Sequence, residues 1–229
     1  MAANELEIVN VALSHLGHGA LLTSTDGSVA GIVEAGVEKD QAALHYPRCR
    51  NMLLESYAWR FARAFVELTL ADDGADAIWG DEYENAYAYP ADCLLIRRIV
   101  NDLGYSYYGT GVWPRMQTHP FLQQMTYHYV VRQHEDAKVI LMNVDAADAK
   151  IEYTRLVTDV LEFTPMFETG LTHLVAAYLA PTLTVSPEMQ QSNLQLYNAW
   201  THMAEAASYN EENPYPQPRS SFVNARGAD

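Results

Sequence analysis

Apolar residues recur at helical spacing in "NELEIVNVALSHLG", where Ile8, Val9, Ala12, Leu13 and Leu16 share one face. Asn4 is placed to cap the start of this predicted helix and Gly17 its end. The turn formers of "STDGSVAG" follow. A second helical pattern runs from about Glu38 to Tyr57, with Ala43, Tyr46, Cys49, Leu53 and Tyr57 as its inward stripe. Pro47 lies inside that pattern and removes a backbone donor, so a kink or a restart is expected there. "YAWRFARA" ends the helix. In "AFVELTL" the period drops to two, with Phe65, Glu67 and Thr69 opposite Val66, Leu68 and Leu70, as a strand requires.

The middle of the chain alternates short β-like runs with turn clusters. "CLLIRRIV", "MTYHYVVRQ", "KVILMNV" and "KIEYTRLV" are its best strands, within roughly four to six that form one small sheet. Pro90 fixes the entry to the first long strand. Helical spacing then returns. Thr164-Pro165 starts a helix with Phe167, Leu171, Leu174, Val175 and Tyr178 on one face and Pro181 as its stop. Ser186-Pro187 starts another, with Asn193, Leu196, Tyr197, Trp200, Met203, Ala204 and Ala207 as its stripe, and the two are expected to form an antiparallel hairpin. After Glu212, "NPYPQPRSSFVNARGAD" has three prolines and little apolar content, so it cannot build a core alone. The fold class is α+β: an antiparallel helical bundle from 1–63 and 160–211, a β-rich insertion over 64–159, and an extended C-terminal arm at 212–229.

Composition narrows the function. The 229 residues are 49% hydrophobic, enough to bury a core. No apolar run reaches about 18 residues and no secretory leader pattern opens the sequence, so neither a spanning helix nor secretion is expected. The two cysteines, Cys49 and Cys93, are expected as buried thiols. The net charge of −15 argues against binding DNA or an anionic membrane. The arginine pairs 48/50, 60/63 and 97/98 are scattered, and are expected to neutralise local acids.

Candidate chemistry is sparse. His15-x-x-His18 has the spacing of a metal pair but no third ligand nearby in sequence, and is read as an exposed helix end. His119, His128 and His134 are read as surface residues. Asp72, Asp73, Asp76, Asp81, Glu82 and Glu84 crowd carboxylates into one stretch, as glycosidases and calcium loops do, but not in the EF-hand ligand order. A solvated acidic loop is the simpler reading. Phosphate-loop, dinucleotide, nucleophile-elbow and zinc-protease motifs are lacking. No cofactor or catalytic residue is assigned. Trp59 and Phe61, like Tyr87 and Tyr89, are expected to fill junctions between packed elements and not to form a ligand platform.

Several stretches in order, "IVNVALSHLG", "RNMLLESYAWRFARA", "YENAYAYPADCLLIRRI" and "IEYTRLVTDVLEFTPMFETGLTHLVAAYLAPTLT", with "AEAASYNEE" and the terminal "SSFVNAR", resemble the tail tubular protein A family, the head-to-tail adaptors of short-tailed phages. The resemblance spans nearly the whole chain except "GYSYYGTGVWPRMQTHPF". It implies a non-enzymatic virion protein, assembled in the host cytoplasm, that forms a ring of about twelve copies between portal protein and tail nozzle protein. It also implies an arm that docks on the portal, for which Phe222, Val223 and Arg226 are the candidates. DNA passes such a ring without specific binding, and Asp72, Asp73, Asp76, Asp81, Glu82 and Glu84 are candidates for an acidic channel lining. The alternatives are a tail-associated polysaccharide-degrading enzyme using those acids, and a helical interaction protein outside the virion.

Overall fold

The computed structural model describes residues 2, 4–19, 21–72, 83–100, 129–134, 137–145, 149–184 and 186–210. Within them the chain is mixed α and β. Its helices are α1 (Glu5–His15), α2 (Val37–Ser56), α3 (Pro165–Leu183) and α4 (Pro187–Asn210). Its strands are β1 (Arg63–Glu67), β2 (Leu70–Asp72), β3 (Asn85–Ala88), β4 (Cys93–Val100), β5 (Tyr129–His134), β6 (Ala137–Met142) and β7 (Lys150–Arg155). Two compact units divide it. One takes the described residues of Met1–Arg50, Trp59–Phe61 and Asp159–Asp229, the other those of Asn51–Ala58 and Ala62–Thr158.

The first unit is helical. Asn4 caps α1, its side chain accepting from the Glu7 N–H at 2.9 Å. At the other end Gly17, at φ 79°, donates to Ser14 O while His18 N–H donates to Leu13 O, which closes the helix with a left-handed residue. α3 is the central element. The His15 ring of α1 stacks on His173 of α3 at 4.6 Å, and His45 of α2 lies against Tyr178 of α3 at 5.6 Å. α4 meets α3 where His173 Nδ1 contacts Asn193 Oδ1 at 3.1 Å. A Cβ built on Gly170 would stand 3.3 Å from Thr201 Oγ1. These two contacts run in opposite sequence order, so α3 and α4 are antiparallel.

The second unit is built on strands, and forms two antiparallel sheets where one was expected. One has the order β1-β7-β4, the other β2-β3-β6-β5. The pairing of Arg63 with Thr154 joins strands far apart in sequence, so no local turn signal announces it. Side chains of both sheets share one core, including Tyr87 of β3, Ile140 and Met142 of β6, Ile96 of β4, and Ile151 and Tyr153 of β7. Ala86, Val139 and Leu141 form a separate cluster on the other face of β3 and β6.

Several expectations are corrected. Of the kink or restart expected at Pro47, the restart does not occur: α2 runs through it as one helix. Its buried stripe is Ala42, Tyr46, Cys49, Leu53 and Leu54, while Ala43 is exposed and Tyr57 lies beyond the helix. The reason is local: Pro47 cannot donate to the Ala43 carbonyl, and keeping that side of the helix in solvent leaves the carbonyl to water. α3 continues past Pro181, because Thr184 donates from both N–H (2.9 Å) and hydroxyl (2.8 Å) to Ala180 O. Tyr87 lies inside a strand that the sequence reading missed, and its hydroxyl donates to Val144 O. Cys49 is buried, but Cys93 is only half-buried. Leu196 and Met203, expected in the α4 stripe, are exposed.

Candidate functional site

The acidic stretch is described only at its edges. Asp72 closes β2. Asp73, Asp76, Asp81 and Glu82 lie outside the described residues, as do the arm candidates Phe222, Val223 and Arg226 and the histidines His119 and His128. Glu84 is exposed just before β3, and its backbone N–H donates to Asn143 Oδ1 at 2.7 Å.

The best-built charged cluster is one that sequence reasoning did not single out. Strand alternation puts Glu152 and Thr154 on the face of β7 opposite the core residues Ile151 and Tyr153. Glu152 is buried, and each of its oxygens is engaged: Oε1 by Arg63 and Oε2 by Arg98. The register irregularity between Ile96 and Arg98 brings the adjacent Arg97 to the same face, where its Nε donates to Thr154 Oγ1 at 2.8 Å. Arg97 Nη2 also donates to the carbonyls of Leu54 (3.4 Å), Glu55 (3.0 Å) and Tyr57 (2.6 Å). One guanidinium thus satisfies acceptors at the end of α2, where carbonyls lack helical partners. Burial lowers the Arg97 pKa, and Glu152 and Glu55 oppose that shift. These arginines serve the fold. The one signal in the sequence was their pairing, read there as neutralising acids.

The helical unit has a second polar cluster. Arg50 Nη1 donates to Glu5 Oε1 at 3.3 Å, and the Arg50 guanidinium lies 5.9 Å from the centre of the buried Tyr46 ring. Burial, then the neighbouring Glu5, pushes the Tyr46 phenol up, and Arg50 opposes the shift. Burial pushes the Cys49 thiol up to about 12 and raises Cys93 too, so both are held as thiols, the poor nucleophilic form.

The aromatics behave as packing. Trp59 is buried and meets Phe167 edge-on at 5.1 Å; Phe61 meets Phe167 at 5.0 Å and Phe163 at 5.8 Å. Such ring pairs add to area burial by about 0.5–1.5 kcal/mol, and they tie Trp59 and Phe61 to the start of α3. No family model matches the chain, and no curated protein matches it. His15 stacks on His173, and His18 Nδ1 lies 3.9 Å from Glu38 Oε1. Among the described residues no three His, Cys, Asp or Glu side chains are grouped to hold a metal, and no helix is long and apolar enough to cross a membrane. What the described residues offer is satisfied ion pairs, packed rings and exposed helix surface.

Proposed function

We propose that the chain is a structural virion protein of a phage neck, a head-to-tail adaptor subunit that closes into a ring between portal and tail nozzle. One observation carries the reading. Residues from both ends of the sequence make up the helical unit, and the stretch between them makes up the strand-rich unit. That order is the one implied by the resemblance to the tail tubular protein A family. In this reading the four helices form an antiparallel bundle and the strands form a β-rich insertion. Phe222, Val223 and Arg226, which lie outside the described residues, are the proposed portal contacts, as the resemblance implies.

The charge supports the same reading. A ring of about twelve subunits multiplies a net charge of −15 per chain, and a negative lumen lets DNA pass without sticking. Asp72, Asp73, Asp76, Asp81, Glu82 and Glu84 are the proposed lining. Arg63, Arg97 and Arg98 are engaged with protein acceptors, which weakens any competing basic footprint. The deciding experiment is copy number in purified particles, by quantitative mass spectrometry against the major capsid protein. About a dozen copies per particle is the expected result; absence from particles overturns the reading.

A further inference from the structure

α4 buries a narrow, mostly polar stripe: Asn193, Thr201, Ala204 and Ser208. A different stripe of the same helix, half-buried at Met189 and exposed from Ser192 onwards, faces solvent. Met189, Leu196 and Met203 recur every seven residues, and Ser192, Ala199 and Ala206 recur between them, three residues further on. This is a heptad seam with large and small side chains alternating, the pattern by which one helix accepts another at close range. Its central residues are open, Leu196 being 43% and Met203 54% exposed.

The six seam residues are uncharged, with Glu205, paired with His202 at 3.3 Å, beside its last turn. From Met189 to Ala204, about 24 Å of helix, there is no Asp, Glu, Lys or Arg. The other helical faces differ, since α1 presents Glu7 and α2 presents Asp40 to solvent. Two chains that each carry −15 repel wherever acids face each other, and a stripe without acids adds no repulsion of its own to whichever face of a second copy it meets. A basic partner would be drawn to the acidic faces instead. Interface centres are depleted of charge and enriched in methionine, as the seam is.

We propose that the Met189–Ala206 seam of α4 is an interface with a second copy of this chain. The proposal deepens the ring reading and rests on it only for closure, because a ring needs the seam to meet a different face of its neighbour.

Sedimentation of the full chain over a wide concentration range tests it, comparing wild type with a Leu196→Glu/Met203→Glu double variant. Wild type gains mass with concentration, and the variant associates roughly 30-fold more weakly, since two carboxylates are placed in the contact. Both positions are exposed, so the far-ultraviolet spectrum and melting temperature stay unchanged. Leu161→Glu, exposed but off the seam, associates like wild type. A wild type that stays monomeric throughout overturns the proposal, as does a double variant that associates normally. A monomer whose Met203→Cys thiol resists a maleimide would put a segment of the same chain on the seam, and overturns it too. Particle composition stays a separate reading: normal association of the double variant with a dozen copies per particle sinks the seam and leaves the ring.

Discussion

Helices α3 and α4 are neighbours in sequence and in space, and both start at a hydroxyl residue followed by proline. Their surroundings differ. α3 buries Phe167, Leu171, Leu174, Val175, Leu179 and, between them, Thr172, His173 and Ala176, so it is covered nearly all round. It has α1 on one side, α4 on another, and Gln41 and His45 of α2 near its C-terminal half. α4 leaves Leu194, Leu196, Met203 and Tyr209 exposed. An apolar stripe at helical spacing therefore identifies a face that gains by being covered. Whether this chain covers it depends on how many neighbours the helix has, which spacing does not encode.

The largest contrast is expected from matched truncations. Leu171 is fully buried. Leu171→Ala removes packed methyl groups and leaves a cavity, costing about 2–5 kcal/mol. Leu196→Ala, at an exposed site of the monomer, should cost less than about 0.5 kcal/mol. Urea denaturation of both variants measures this, and similar losses would break the comparison.

A smaller effect lies where the helices approach closest. At Gly170 an added Cβ stands 3.3 Å from Thr201 Oγ1, so a side chain there must displace Thr201. Gly170→Leu should cost about 1–3 kcal/mol through overpacking. Gly170→Ala gains roughly 0.5–1 kcal/mol of helix preference, which offsets the small shift of Thr201. The denaturation midpoint should therefore drop for leucine and stay near wild type for alanine. Equal midpoints for all three would mean that the contact is loose.

The two caps come next. Thr164 Oγ1 accepts from Phe167 N–H and Ser186 Oγ from Met189 N–H, each at 3.4 Å. Thr164→Ala should cost about 1 kcal/mol, because the capped turn holds Phe167 in the aromatic cluster. Ser186→Ala should fall near about 0.5 kcal/mol, the low end for a cap, since the turn it starts is more exposed. Thermal melts of the two variants decide it, and the reverse order would contradict the contrast.

What could be read from the sequence was local. Asn4, Gly17 and Thr164-Pro165 act through backbone groups within four residues, and each does what its type and position imply. Trp59 and Phe61 read as packing because rings of that size rarely stay open. What could not be read depends on distant partners. "NAYA" looks like part of a proline turn until β6 pairs with it. Glu152 looks like any acid until Arg63 and Arg98 close on it from strands on either side. His173 sits among apolar residues with no hint that His15 would stack on it. Of the candidate site, the acids of 72–84 and the arm were named from clustering and resemblance, and neither cue carries geometry.

The smallest expected effect concerns the pH dependence of α3's cover. His15 lies flat on His173, and its pKa is lowered by burial first and by His173 second. His45, against Tyr178, is lowered by burial and then by Arg48. A lowered imidazole pKa means that the unfolded chain takes up the proton before the folded one. These groups therefore cost nothing above about pH 6.5, the unfolded value. As pH falls below it the unfolded state binds more protons, and stability declines until the folded pKa is passed. Urea midpoints should fall from neutral pH towards about pH 5. His15→Gln should flatten that decline in part, and His15→Gln with His45→Gln should flatten it further. A wild-type midpoint that rises on acidification over this window would mean that protonation strengthens the stacked pair, and would reverse the sign assigned to α3's histidine contacts.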